Sequence, residues 1–224
     1  KRGKESKQRL SYDSRICFCL KKMKKILVTG KADKRVISYP LMHICNYSGK
    51  TCLITDDVNY KRLYGGYEKT GDIDNVHIEI IPPVSPDEDL SELFQEKEEY
   101  GYDILILVLD SYLADGMDRI YVIGNRIRTF MGIEIEEVME EHQNTTAFAV
   151  SLVKHPVSAG VIPFTWNTDD FVYLCTVEET RKLQPPKNKK IVELLQSTIC
   201  TSVDIPVSTY NGLSGRTKSK KKKK

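Results

Sequence analysis

Six consecutive apolar residues, Ile104-Leu105-Ile106-Leu107-Val108-Leu109, lie between Asp103 and Asp110. The run is far short of the ~18–20 residues that cross a bilayer, and it shows no alternation of apolar with polar side chains. A strand of this kind buries both of its faces, so it belongs in the middle of a sheet covered on both sides. Shorter runs of the same character recur. Residues 26–29, 51–55, 75–81, 119–124, 146–153 and 170–177 read as strands, and 34–47, 86–99, 133–142 and 188–200 as helices. Pro40 falls inside the first helix, at a cost or a kink. Pro86-Asp87-Glu88-Asp89 opens the second, where acids suit the positive end of the helix dipole. Strands alternating with helices imply an α/β fold: a mostly parallel, doubly wound sheet with helices on both faces. No internal repeat is visible.

Charge divides the chain more clearly than composition does. Residues 1–25 carry ten Lys/Arg and two Asp/Glu, a net of +8, and residues 216–224 carry seven basic residues and no acid, a net of +7. The body between them holds 17 basic and 29 acidic side chains, a net of −12. An overall surplus of +3 therefore says nothing about nucleic acid. Residues 1–22 are expected to be a disordered or non-native extension, since Met23-Lys24-Lys25-Ile26-Leu27-Val28 reads like a natural start. Residues 23–205 should form one domain and 206–224 a basic tail.

Ile16-Cys17-Phe18-Cys19-Leu20 is too short for the apolar core of a signal peptide, so a cytoplasmic location is expected, at most peripheral to a membrane. The six cysteines include no C-x-x-C pair, and the four histidines (His43, His77, His142, His155) show no ligand spacing. Neither a disulfide framework nor a metal site is expected, and most cysteines should be small buried residues.

The chemistry-bearing segment is Gly30-Lys31-Ala32-Asp33-Lys34-Arg35, which follows an apolar strand and precedes a helix. That is the setting of a Walker A loop, which needs glycines for close backbone approach to phosphates, a Lys for their charge, and a Ser/Thr for Mg²⁺. Here one Gly and the lysines remain.

The segment and its sequel resemble the ParA/MinD superfamily of deviant-Walker P-loop ATPases, whose first unit reads approximately I-L-V-x-G-K-G-G-V-G-K-[ST]-T, then an apolar helix, then G-K-x-V-L-L-I-D. This chain has Ile26-Leu27-Val28-Thr29-Gly30-Lys31 and, later, Gly49-Lys50-Thr51-Cys52-Leu53-Ile54-Thr55-Asp56. With a loop two residues short, Lys31 matches the signature Lys, Lys34 the Walker Lys, and Arg35 the Mg²⁺-binding Ser/Thr. Asp56 matches the acid that orients the attacking water, and Asp110 the Walker B acid. Asn125, Ile162-Pro163 and Asp169-Asp170 resemble later segments near the base, and 185–199 the closing linker and helix. The resemblance covers roughly residues 24–200 and implies a P-loop NTPase-like sheet.

The departures set the functional expectation. Ala32 and Asp33 stand where glycines should turn, and Asp33 brings a carboxylate to the phosphate position, where like charges repel by roughly 1–4 kcal/mol. Arg35 cannot ligate Mg²⁺, which takes oxygen donors. Loss of both should abolish turnover, because phosphoryl transfer rests on positioning and charge neutralisation. The leading expectation is a catalytically degenerate scaffold or regulator with no cofactor, serving protein partners such as a cognate ATPase or a secretion, conjugation or pilus machine. The resemblance also implies a homodimer.

Two rival readings stay open. One is an active switch ATPase using ATP and Mg²⁺, with Asp56 and Asp110 as catalytic candidates and Gly30, Lys31, Lys34 and Arg35 as the nucleotide or anion site. The other is a partition protein holding nucleic acid through its basic tails. Tyr60, Arg62, Tyr64 and Tyr67 are candidates for partner contact. Trp166 is expected to anchor the cleft rim, and Arg119, Arg126 and Arg128 form either an anion patch or ion pairs with Glu134, Glu136 and Glu137.

Overall fold

The structure is a computed structural model that describes residues 22–111, 115–125, 143–152, 154, 157, 160–186 and 188–200. Eight strands form one sheet: β1 Lys24–Thr29, β2 Thr51–Thr55, β3 Thr70–Ile73, β4 Val76–Ile80, β5 Ile104–Leu109, β6 Arg119–Asn125, β7 Thr145–Ser151 and β8 Ile162–Thr165. Their order is β3-β4-β2-β5-β1-β6-β7-β8. Every neighbouring pair is parallel except the β3–β4 hairpin. The helices are α1 Arg35–Cys45, α2 Ser91–Glu99, α3 Thr168–Thr180 and α4 Lys189–Cys200, with a 3₁₀ turn at Val58–Leu63.

The apolar run predicted to be central is β5, held between β2 and β1. Its alternate side chains feed two cores, as the two-residue period of a strand requires. Ile104, Ile106 and Val108 join one core with α1, α3 and α4, while Leu105, Leu107 and Leu109 join the other. Leu93 and Phe94 of α2 pack against that second core, so helices do cover both faces. β1 reaches back further than its apolar residues. Lys24 and Lys25 are buried along their stems, and the Lys25 ammonium lies 4.6 Å from the Phe94 ring centroid and 3.6 Å from Glu98.

α1 is buried on every side from Val36 to Cys45, because α3 and α4 pack over the surface that the sheet leaves open. It continues through Pro40. Cys45 and Cys52 are buried, and burial pushes both thiols up to about 12, so they serve as small core residues. Among the described residues no helix is long and apolar enough to cross a membrane.

Three expectations are corrected. Residues 170–177 are helical, not extended: Asn167 caps α3 by accepting the Asp170 N–H at 3.1 Å, and Asp170 returns the bond to the Asn167 N–H at 3.1 Å. The β-branched and aromatic run hid a helical stripe, in which Tyr173, Leu174 and Val177 face the core while Phe171, Val172 and Cys175 face out. β3 and β8 were not foreseen, since Thr70–Ile73 is half polar and β8 contains Pro163. The second helix begins at Ser91, and its preceding acids lie in a turn where Asp89 accepts the Ser91 N–H at 2.9 Å. The helix expected over 133–142 lies outside the described residues.

The capping box is directly testable. Asn167→Ala should lower unfolding stability by about 1 kcal/mol, read as a shift in urea midpoint at constant slope. An unshifted midpoint would contradict a capped helix at this place.

Candidate functional site: the loop after the first strand

β1 lies between β5 and β6, at the point where successive connections run to opposite sides of the sheet. Ligands of open α/β sheets bind in the crevice outside the strand carboxyl ends at such a point. The Gly30–Arg35 loop occupies it. Asp56 and Asp110 follow β2 and β5 at the same end, so the topology brings the sequence-predicted residues together.

There they engage one another and the neighbouring elements. Gly30 has φ +121°, and a Cβ built on it would fall 2.1 Å from the Ile123 carbonyl oxygen. The Ala32 N–H donates to that same carbonyl at 3.2 Å. The retained glycine thus lets the loop lie against β6, and one loop N–H is spent on that strand.

Asp33 then turns onto the start of α1. Its Oδ1 accepts the Arg35 backbone N–H at 3.0 Å, and its two oxygens take the Arg35 side chain at 2.7–3.2 Å. A carboxylate of the chain itself therefore holds the helix end that a phosphate would need. The Arg35 guanidinium reaches onward to Glu178 of α3 at 2.8 Å, and the Tyr39 hydroxyl donates to the same Glu178 oxygen at 2.9 Å. The hydrogen bonds from Arg35 to Asp33 hold its guanidinium even more firmly protonated than usual. Burial raises the Tyr39 phenol, so it stays a neutral donor.

Lys34 is also committed. Its ammonium pairs with Asp110 Oδ1, with the lysine side chain 12% and the aspartate 71% exposed. The Asp110 backbone N–H donates to Asp56 Oδ2 at 3.2 Å. Burial pushes the Asp56 carboxyl above its ordinary range. The Thr29 hydroxyl donates to the Ser111 carbonyl at 3.0 Å, tying the end of β1 to the segment after β5. Lys31 is exposed. Of the cationic cluster expected at this helix start, Arg35 and Lys34 are each neutralised by a carboxylate of the chain.

The position that the resemblance assigns to the hydroxyl ligand of Mg²⁺ is occupied differently. Arg35 stands at the position where the resemblance calls for a hydroxyl ligand, and Asp33 already holds the N–H donor beside it. Among the described residues no group of three or more His, Cys, Asp or Glu is arranged to hold a metal ion.

The four residues proposed for partner contact do not share one surface. Tyr60 is buried at 1% exposure, its ring edge-on to Tyr39 at 5.7 Å and its hydroxyl bonded to Ser38, which corrects its reading as a contact residue. Arg62 turns toward Glu178 at 3.7 Å, and Tyr64 donates its hydroxyl to the Glu68 carbonyl at 2.9 Å. Tyr67 is 99% exposed. Trp166 lies at the β8 end, stacked on Phe171 at 4.5 Å and edge-on to Phe164 at 5.5 Å. Arg119 bonds Thr146, while Arg126, Arg128 and the glutamates over 133–142 lie outside the described residues, as does the Asn125 side chain.

Glu178, the second carboxylate on Arg35, went unrecognised in the sequence because its helix was read as a strand. The N-cap pair Asn167 and Asp170 was the available signal.

No protein-family model matches the chain, and no curated protein matches it. Among solved structures, molybdopterin-guanine biosynthesis protein B is similar at a TM-score of 0.33 and 17% identity, over 70% of this chain and 94% of that one. A likeness of that size adds nothing to the strand order. What stands is an α/β chain with a mostly parallel, doubly wound sheet.

Two substitutions probe the loop. Glu178→Ala leaves the Tyr39 hydroxyl without its acceptor and Arg35 with Asp33 alone, and should cost about 1–3 kcal/mol in chemical unfolding. Asp56→Asn should behave oppositely. A carboxyl raised in the folded state binds its proton more tightly there than when unfolded, so its charged form opposes folding as pH rises through the folded value. The variant should be more stable than wild type at neutral pH, with the difference closing toward acid. A gap that widened as pH fell would contradict the raised carboxyl.

Proposed function

We propose that the chain is a P-loop-type domain of the ParA/MinD kind that has given up phosphate chemistry and acts as a scaffold or regulator through protein contacts. The supporting observation is the closed ion-pair set Asp33–Arg35–Glu178 beside Lys34–Asp110. A triphosphate entering this loop would have to displace Asp33 from the α1 N–H and part Lys34 from Asp110. Both moves expose charges that are now neutralised, and Asp33 would then face the phosphates with like charge. The energy that drives phosphate into a glycine nest is reduced in such an exchange, because the Ala32 and Arg35 N–H groups already have acceptors in the chain.

What remains is a loop packed on β6 and braced against α3, suited to presenting a surface to a partner. Protein partners are the reading's natural ligands. A cognate ATPase, or a component of a secretion, conjugation or pilus machine, comes from the resemblance alone.

Calorimetry with ATP and with ADP, each with and without Mg²⁺, tests the proposal. No saturable heat is expected at nucleotide concentrations up to about 1 mM, where binding free energy is only about −4 kcal/mol. Micromolar, Mg²⁺-dependent binding abolished by Lys34→Ala would favour the switch-ATPase reading instead. So would steady phosphate release from the pure protein.

A further inference from the structure

Where the turn after β2 meets the end of α3, cations gather on a chain whose body is acidic. Lys61 and Arg62 belong to the 3₁₀ turn, Lys69 follows it, and Arg181 closes α3. The two elements touch at Gly65, which has φ +67° and where a Cβ would fall 2.1 Å from the Arg181 guanidinium carbon. The Arg181 side chain thus lies directly on the loop backbone, an approach that only a glycine permits. Arg181 has φ +52° and ψ 43°, the left-handed conformation that glycine or asparagine usually supplies after a helix. A strained arginine and a bare glycine therefore face each other at this contact.

The loop is held from its other sides as well. The Tyr64 hydroxyl donates to the Glu68 carbonyl at 2.9 Å, the Lys61 ammonium to the Tyr67 carbonyl at 3.0 Å, and the Gly65 N–H to the Lys61 carbonyl at 2.9 Å. Among these contacts the Tyr67 side chain has none within the described residues, and it is almost wholly exposed. A backbone tied in place beneath a free aromatic ring is what an interface anchor needs. Tyrosine brings a large contact area with only two torsions to fix.

The charges beside that ring are uncompensated. Among the described residues Lys61, Lys69 and Arg181 have no carboxylate partner. Arg62 has only Glu178 at 3.7 Å, and that carboxylate already serves Arg35 and Tyr39. A nucleic-acid backbone calls for a longer cationic track. Here Glu68 and Glu179 stand exposed on the same two segments, and the body of the chain carries a net of −12. A short segment with a few carboxylates around one apolar side chain matches the patch better.

We propose that Tyr67, Lys61, Lys69 and Arg181 form a docking surface for an acidic peptide segment of a protein partner, with its carboxylates on the cations and an apolar side chain on the Tyr67 ring. The proposal rests on the scaffold reading for the class of its ligand. Its test contains no nucleotide, so its failure leaves the calorimetric test of that reading untouched.

The probes are acetyl-Glu-Glu-Leu-Glu-Glu-amide and its uncharged counterpart with Gln at every Glu. Titrated into the full chain and followed by NMR, the acidic peptide should give saturable shifts of the Gly65 and Gly66 amides and the Tyr67 ring at millimolar affinity or better. The Gln peptide should give none up to about 10 mM. Tyr67→Ala removes a side chain that packs on nothing, and Arg181→Gly suits the left-handed backbone, so an unchanged amide spectrum away from the patch marks both variants as folded. Each should weaken the acidic peptide about fivefold or more. The assignment is overturned by the absence of saturable shifts, by a Gln peptide that binds as tightly, or by folded variants that bind like wild type. It is also overturned if a short oligothymidylate moves the same resonances at lower concentration than the peptide, which would give the surface to single-stranded nucleic acid.

Discussion

The interaction on which the rest of the site depends is Arg35 held between Asp33 and Glu178. It fixes three things at once. It places a carboxylate on the first N–H of α1, fastens the loop to α3, and uses up the most basic side chain of the segment. Two carboxylates this near each other would repel without the guanidinium between them, and the guanidinium would be costly to bury without both. The three groups therefore stand as a unit. Arg62, at 3.7 Å from the far oxygen of Glu178, extends the same unit to the 3₁₀ turn after β2.

The fold was legible where burial on both faces left no room for alternatives. β5 is apolar throughout, and β1 and β2 each hold three consecutive apolar residues, short runs of the kind that a strand covered on both faces carries. The pattern weakened toward the edges of the sheet. β3 and β8 are short and only partly buried, so their sequences carry little apolar signal. α3 was misread for a related reason. Phe171, Val172 and Cys175 are apolar yet exposed, which blurs the helical stripe of Tyr173, Leu174 and Val177.

The convergence of the candidate residues at one sheet end was legible, and their pairing was not. Gly30, Lys34, Asp56 and Asp110 converge because parallel strands bring their carboxyl ends to one edge, a property of topology that strand order alone carries. Which charge neutralises which is decided by side-chain reach across the fold. Glu178 is separated from Arg35 by 143 positions, and nothing local in the chain announces their contact. Tyr60 illustrates the converse error. Beside Lys61 and Arg62 it has the look of a surface residue, yet its ring fills the space next to Tyr39 and Ser38.

Gly30 shows that a glycine in such a loop can be required by packing alone. In a working phosphate loop the opening glycine is explained by the ligand, because a side chain would keep the backbone away from the phosphates. Here the obstacle is β6: any Cβ at position 30 would collide with the Ile123 carbonyl, and the positive φ would penalise it further. The glycine is required by packing whether or not anything is bound. Positions 32 and 33 carry no such constraint on the β6 side, since Ala32 meets that strand through its N–H and Asp33 turns toward Arg35. The glycine at position 30 therefore has a reason inside the fold, whereas the side chains at 32 and 33 are set by their own contacts with β6 and Arg35.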